Sequence, residues 1–243
     1  MANSTVSKIT FSDQATQIIK DRIISLEFKP GTRLIVETLS KEINVSMTPI
    51  REGLRSLVYQ GLVEYDGKSY SVFNPDAKEV MNICDVRSTL ECLSFRLASK
   101  HMSDREIQSL IVRYAKLNAA TDAMMSRQFI AGDLLIHDTV REHTGNARLQ
   151  ELLLPLQLQY WLIRSWIFKK EYSSVVIQRT NEEHKNILEA LKHRDEESLV
   201  KLVKVHMQRG RDFTLMSLDR FLDHGNETIS SRFRAMEESS VQP

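Results

Sequence analysis

Apolar residues recur at helical spacing along most of the chain, and one short window alternates as strands do. The pattern predicts helices at about residues 11–27, 36–43 and 47–60, then at 76–101, 103–122, 125–143, 146–171, 173–192 and 195–222. An Asp66-Gly67 pair between two short apolar segments predicts a single β-hairpin. The fold class is therefore mainly α: an N-terminal winged helix-turn-helix followed by an all-helical bundle.

Helix length changes at the segment FNPDAKE, which predicts a domain boundary. We expect an N-terminal arm over residues 1–10, a first domain over 11–73 and a linker over 74–78. A second, helical domain follows over residues 79–222. The remaining segment, 223–243, is polar and weakly patterned, so we predict a disordered tail.

Composition narrows the class of protein without identifying a partner. The 243 residues are 42% hydrophobic and 27% charged, and the net charge of +1 creates no global field, so any nucleic-acid binding must use a local basic patch. Cys84 and Cys92 lie in one predicted helix, about 12 Å apart, and cannot bridge within one protomer. Free thiols, no secretory leader and no membrane-length apolar run predict a cytoplasmic protein with no membrane partner.

The third predicted helix carries basic residues on one face. It begins with Ser46 or Thr48 as N-cap and has Pro49 in its first turn. Arg51 and Arg55 lie four positions apart, opposite the apolar stripe, so both can reach phosphates or guanine edges in a major groove. The Thr48 hydroxyl, at the helix N-terminus, is placed to bond a phosphate.

The hairpin tip adds one more cation, Lys68, placed for a backbone or minor-groove contact. The alternative is that each charge is an ordinary solvated residue on a small helical domain. The combination of capped helix, paired arginines and wing favours DNA binding. The predicted DNA-binding residues are Ser46, Thr48, Arg51, Arg55 and Lys68.

Ionisable residues occupy core-facing positions on three helices of the second domain. Asp133 and His137 lie one turn apart, and His184 and His206 each fall on the apolar stripe of a later helix. An unpaired buried charge is costly, whereas one Asp and three His around a divalent cation satisfy one another. The alternative, that each is a hydrogen-bonded polar residue of the core, stays open on spacing alone.

Arg87 also falls on an apolar stripe, together with Ile83, Leu90 and Leu97. A guanidinium on such a face needs a partner. Glu91, one turn further along the helix, would provide it as an intrahelical ion pair.

The segment KPGTRL…LSKEINVSMTPIREGLRSLVYQGLVE resembles the DNA-binding domain of the GntR family of bacterial transcription regulators, and the likeness covers about residues 11–73. Two positions depart from the family pattern. Met47 stands where the family usually has an arginine, and Ser69 replaces the usual wing glycine. The operator sequence of relatives therefore does not transfer to this chain. The resemblance is strongest at Thr48, Pro49, Arg51, Glu52, Leu54, Leu57, Gly61, Leu62 and Val63.

Residues from about 76 to 222 resemble the all-helical FCD domain of the FadR-like branch of that family. The resemblance implies a metal, often zinc or nickel, held by four residues of the pattern D-x3-H followed by two later histidines. It also implies that Arg87 faces a ligand cavity and helps to hold a carboxylate. The implied metal ligands are Asp133, His137, His184 and His206.

The sequence thus predicts a DNA-binding transcription regulator, a repressor, whose operator binding responds to a small carboxylate effector. It predicts a homodimer on palindromic double-stranded DNA, because two recognition helices one turn apart give specificity that one cannot. Two alternatives remain: the metal is purely structural and no effector binds, or the chain is a metal-dependent hydrolase. A hydrolase would need a general base beside the metal, and the inward stripes offer no spare carboxylate.

Overall fold

The computed structural model describes residues 10–118, 125–171 and 174–222. The chain divides into two compact units, residues 1–75 and 76–243, and each is mainly helical where it is described. The predicted N-terminal arm falls outside the described residues except for Thr10, and the predicted tail falls outside them entirely. Every described helix is too short or too polar to cross a lipid bilayer.

The first unit combines helices with a small antiparallel sheet, whose strands lie in the order β1 (Arg33–Leu34), β3 (Tyr70–Val72), β2 (Val63–Tyr65). The predicted hairpin is present, but the prediction of a single strand pair is wrong because β1 adds a third strand to β3. A strand of two residues is too short to show an alternation of apolar and polar positions, so only its pairing with a distant strand reveals it. The elements are α1 (Phe11–Ile24), β1 (Arg33–Leu34), α2 (Val36–Ile43), α3 (Met47–Tyr59), β2 (Val63–Tyr65) and β3 (Tyr70–Val72).

Helix α1 begins with a capping box, in which Thr10 and Asp13 bond each other's backbone N–H groups. It ends at Ile24, three residues before the predicted end, and Leu26 then adopts a left-handed φ of 62°. Its buried face consists of Ala15, Ile19 and Ile23, whereas Ile18 is exposed. Helices α1 and α3 pack closely at Gly53 of α3, where a Cβ atom would lie only 3.0 Å from Thr16 Oγ1 of α1.

The second unit is a helical bundle, and its helices match the predicted ones to within a few residues. The predicted end of one of them, at residue 122, lies outside the described residues. Its core packs aliphatic and aromatic side chains from α4, α5, α6, α8 and α9. Cys84 and Cys92 are free thiols on α4, as predicted. The helices are α4 (Ala77–His101), α5 (Asp104–Asn118), α6 (Met125–Glu142), α7 (Ala147–Glu171), α8 (Ser174–Lys192) and α9 (Glu196–Leu222).

The inward face of α4 differs from the predicted stripe. Leu90 and Leu97 are only half-buried, whereas Arg87 and Glu91 are both buried. The helix therefore directs two charged side chains into the bundle one turn apart, and the hydrophobic residues Val80, Ile83 and Phe95 surround them along the same face.

Candidate metal centre and DNA-binding surface

Three helices bring one carboxylate and three imidazoles to a single buried point. Asp133 and His137 lie one turn apart on α6, His184 is on α8 and His206 is on α9. All four are buried, and one ligand atom from each lies within 4.8 Å of every other. The structure thus brings together the four residues that the sequence singled out.

The atoms that face this point are imidazole nitrogens and one carboxylate oxygen, all of which can bind a metal through a lone pair. His137 Nε2 and His206 Nε2 are 3.4 Å apart. Asp133 Oδ1 and His184 Nε2 are also 3.4 Å apart, and both are buried without a hydrogen-bond partner among the described residues. Lone pairs held so close repel each other unless a cation or a proton lies between them.

Two of the three imidazoles, those of His184 and His206, are oriented through their other ring nitrogen, Nδ1. Tyr114 donates its hydroxyl hydrogen to Asn181 Oδ1 at 3.0 Å, so its oxygen accepts from His184 Nδ1, also at 3.0 Å. His206 Nδ1 donates to Glu183 Oε2 at 2.9 Å. These contacts place the hydrogen on Nδ1 and leave Nε2 of both rings free to bind a metal.

His137 has a carboxylate neighbour too. Its Nδ1 lies 3.0 Å from Glu91 Oε2, although the two atoms are not aligned for a hydrogen bond. Glu91 also accepts from Gln157 Nε2 at 3.0 Å and pairs with Arg87, so its carboxylate is held from several sides. Burial raises the pKa of Glu91, but His137 and Arg87 outweigh it and lower the pKa to about 2.

The pKa values of three of the four proposed ligands, Asp133, His184 and His206, are shifted toward the deprotonated form that metal binding requires. Burial opposes the charge on Asp133, but Arg164, whose Nη1 donates to Asp133 Oδ2 at 3.2 Å, holds its pKa well below the usual range. Burial lowers the pKa of His184 and lowers that of His206 to about 4. At neutral pH these two imidazoles are neutral.

The donor set fits a divalent transition metal. Three imidazole nitrogens and one carboxylate oxygen suit zinc or nickel. Tetrahedral zinc, with bonds of about 2.0–2.1 Å, separates its ligand atoms by about 3.4 Å. Both close pairs, His137 with His206 and Asp133 with His184, have this separation. The residues present therefore fit a metal ion, and the assignment of these four as its ligands stays a prediction.

Arg87 forms the intrahelical ion pair with Glu91, which is the alternative to a role in binding an effector. Its Nη2 is 3.1 Å from Glu91 Oε1, and its Cζ stacks 4.3 Å from the Tyr160 ring centroid. Its Nε is buried and has no hydrogen-bond partner among the described residues. The pairing with Glu91 therefore leaves one donor of this guanidinium unused, and the effector role stays a prediction.

The sequence reasoning did not find the residues that orient the ligands. Glu91 was considered only as a partner for Arg87, although it lies one turn along the same face. Glu183 directly precedes a proposed ligand, and its partner His206 is on another helix. Tyr114 on α5 and Gln157 and Arg164 on α7 carry no local signal, because neither helix contributes a proposed ligand.

The predicted DNA-binding residues lie on the surface of the first unit. Ser46, not Thr48, is the N-cap of α3, and its side chain makes no capping bond. Thr48 lies within the first turn of that helix and is exposed. Arg51, Arg55 and Lys68 are also exposed, and within the described residues none makes an ion pair. These side chains are available to bind an anionic partner.

The wing turn is organised by Asp66. Its Oδ1 accepts the backbone N–H of Lys68 at 2.8 Å and of Ser69 at 2.7 Å, and its Oδ2 accepts the Ser69 hydroxyl at 2.9 Å. These bonds lower the pKa of Asp66. Gly67 has a φ of 93°, which favours glycine. Ser69, at the position where the family usually has glycine, therefore contributes a bond that glycine could not.

Comparison with known families decides the class. Residues 11–69 match the bacterial regulatory proteins of the gntR family, and residues 82–209, more than half of the chain, match the FCD domain. The chain belongs to the GntR family, in the group with an FCD domain. This GntR-family protein is a DNA-binding transcription regulator.

Relatives of this GntR-family regulator match it over most of their length. The HTH-type transcriptional regulator YdhC of Bacillus subtilis (strain 168) is 26% identical over 211 residues, 86% of this chain and 91% of the relative. The HTH-type transcriptional repressor GlaR of Escherichia coli (strain K12) is 23% identical over 198 residues, 78% of this chain and 89% of the relative. The solved structure of E. coli McbR/YncC has a TM-score of 0.73 at 19% identity and covers 87% of this chain and all (100%) of its own, which shows a shared fold.

Proposed function

We propose that this GntR-family regulator represses transcription as a homodimer and that a small carboxylate effector changes its affinity for DNA. The effector binds in the helical bundle beside a divalent metal ion, zinc or nickel. The observation that carries the proposal is the buried cluster of Asp133 and three histidines, whose ligand atoms lie within 4.8 Å of one another. Two of these atoms, Asp133 Oδ1 and His184 Nε2, have no hydrogen-bond partner among the described residues.

The DNA side of the proposal rests on α3 and the wing. Arg51 and Arg55 are exposed one turn apart, so both reach one groove, where guanidinium groups bind phosphates or guanine. Ser46 and Thr48 at the helix N-terminus and Lys68 at the wing tip add backbone contacts. A dimer presents two such helices to the two halves of a palindromic operator.

The metal side rests on four ligands and their supports. Asp133, His137, His184 and His206 would hold the ion, which when bound supplies a Lewis-acidic centre for an effector carboxylate. The unused Nε donor of Arg87 is a buried group that a second carboxylate oxygen would satisfy. Arg87 also shares Glu91 with His137, which connects the effector arginine to a metal ligand.

Two rival functions make different predictions. A purely structural metal would bind with the same four residues but leave DNA affinity unchanged when acids are added. A hydrolase would need a carboxylate free to act as base, yet Glu91 and Glu183 are each engaged with a ligand histidine. The transcription regulator family favours the non-enzymatic function.

The first test measures metal and DNA binding on one preparation. Elemental analysis of the purified protein, before and after chelation, is paired with a mobility shift of the DNA upstream of its own gene. We expect about one metal per chain and a specific shift. The shift is then repeated with added carboxylic acids, for the wild type and for Arg87→Ala.

Variants distinguish the proposed metal site from the proposed effector site. We expect Arg87→Ala to keep its metal and lose the response to acids, because its guanidinium contacts Glu91 and not the proposed ligand atoms. A preparation without metal that still shifts DNA would make the four residues a hydrogen-bonded cluster of the core. A normal acid response in Arg87→Ala would return this residue to its ion pair with Glu91.

A further inference from the structure

A second cationic feature lies beside the metal centre, in a cleft between α8 and α9. Its lining includes three arginines, Arg164, Arg179 and Arg209, together with Thr180, Glu183 and His206. The outer two, Arg179 and Arg209, have side chains that are 53% and 50% exposed, so the cleft is open to solvent. Small ligands enter such clefts by diffusion.

The lining of the cleft carries more positive than negative charge. Glu183 is the only carboxylate among the described lining residues, and it is already held twice. Its Oε1 accepts from Arg209 Nη1 at 2.8 Å and its Oε2 accepts from His206 Nδ1 at 2.9 Å. Arg179 Nε approaches no closer than 3.9 Å, which is beyond hydrogen-bond distance. Two guanidiniums thus share one carboxylate, and each carries five N–H donors.

The cleft lies one side chain away from the proposed metal ligands. Arg164 lines it and also donates to Asp133 Oδ2 at 3.2 Å. His206 lines it and is itself one of the four clustered residues. A molecule bound at the metal centre therefore needs only a short carbon chain to place another group among the outer arginines.

We propose that Arg179 and Arg209 bind a second anionic group of the effector, so that the effector is a small acid with at least two anionic groups. The second group is a carboxylate or a phosphate, because planar guanidinium forks bind both with paired hydrogen bonds. This inference rests on the proposed function, since it adds a subsite to the same effector. Thr180 also lines the cleft, but its hydroxyl donates to the Val176 carbonyl at 3.0 Å, so the arginines are the donors that an anion would meet.

The test uses pairs of acids that differ by one anionic group. Lactate is compared with malate, and glycerate with 3-phosphoglycerate, by calorimetric titration into the full-length zinc-loaded protein. In the wild type we expect the acid with two anionic groups, here called the dianion although the phosphate itself carries nearly two charges, to bind about tenfold more tightly in at least one pair than the acid with one anionic group, the monoanion. The malate pair reports a carboxylate preference and the phosphoglycerate pair a phosphate preference.

The variants locate the effect. In Arg179→Gln/Arg209→Gln we expect the advantage of the dianion to disappear, while the protein still holds one zinc per chain and the monoanion affinity stays at the wild-type value. The matched control is Arg148→Gln, an exposed arginine of α7 that pairs with Glu151 and does not line the cleft. The control should keep the full advantage.

The result that overturns the proposal is a wild type that binds both members of each pair equally or binds none of these acids, or a double variant that keeps the advantage. Zinc content and DNA shift, measured on the same samples, separate this failure from failure of the proposed function. Protein that holds zinc, shifts DNA and binds the monoanions but shows no dianion advantage loses only the second subsite, whereas protein that binds none of the acids also loses the effector site of the proposed function. Protein that holds no zinc loses the proposed metal centre.

Discussion

The winged unit and the helical bundle hold their functional charges in opposite ways. On α3 and the wing, Arg51, Arg55 and Lys68 are exposed and make no ion pair within the described residues. In the bundle, Arg87 and Asp133 are buried and each has an oppositely charged partner. The first arrangement leaves water to solvate each charge, whereas the second must replace water with protein groups.

The difference determines what a substitution does. Removing an exposed arginine removes a contact to DNA and leaves little else changed, because no protein group depended on it. Removing one member of the buried cluster leaves its partner charged and unsolvated. Single substitutions should therefore affect binding alone in the winged unit, and both binding and folding stability in the bundle.

The largest effect is expected from His206→Ala, which deletes one of the four proposed metal ligands. Zinc affinity should fall by more than about 100-fold, since even residues that only support ligands contribute ten- to a hundredfold. Zinc should also raise the melting temperature of the wild type and not that of the variant, because a ligand stabilises only the state that binds it. Competition with a fluorescent chelator and thermal unfolding with and without zinc measure both.

His193→Ala is the matched control for that experiment. His193 is exposed on the same bundle and contacts Glu189, not the cluster. Its variant should bind zinc as the wild type does. Wild-type zinc affinity in His206→Ala would show that the buried cluster is not the metal site.

The sequence predicts the helices and the clustered ionisable residues, but not the residues that orient that cluster. Helices and the four clustered residues follow from periodicity, because a buried face repeats every three or four residues. The supports do not follow. Arg164 on α7 and Tyr114 on α5 meet the cluster through contacts between distant helices, and no spacing rule connects them. Strand β1 was missed for the same reason, since its only evidence is its pairing with β3.

The second effect tests the exposed surface. Arg51→Ala should weaken operator binding by about 10- to 100-fold, the usual cost of a lost arginine contact to DNA. The melting temperature should stay unchanged, because the side chain is exposed and makes no ion pair within the described residues. Mobility shift and thermal unfolding on the same preparation give both numbers.

Arg148→Ala serves as the control, since it removes an exposed arginine of the bundle that pairs with Glu151. It should shift DNA like the wild type. Equal affinities for Arg51→Ala and the wild type would exclude Arg51 from the DNA-binding surface.

A smaller effect is expected from Glu183→Gln, which keeps the shape of the side chain and removes its charge. Glu183 accepts from His206 Nδ1 at 2.9 Å, and a carboxylate there makes Nε2 a better metal ligand than an amide does. We expect zinc to bind about tenfold more weakly. Glu189→Gln removes a carboxylate from a histidine outside the cluster, 2.8 Å from His193 Nε2, and should leave zinc affinity unchanged. Identical zinc affinities in the two variants would mean that Glu183 does not support a ligand.

The smallest effect is expected from adding a charge to the exposed surface. Met47 is the first residue of α3 and is exposed, at the position where the family usually has an arginine. Met47→Arg should tighten DNA binding a few-fold and steepen the dependence of log affinity on log salt by about one unit, because one more phosphate contact releases one more counterion.

Met81→Arg adds the same charge at an exposed methionine of α4 and should leave the salt slope unchanged. An equal change in both variants would mean that net charge alone, and not position on α3, sets the affinity. A change in Met47→Arg alone would show that the methionine weakens the contact of this helix with the DNA backbone.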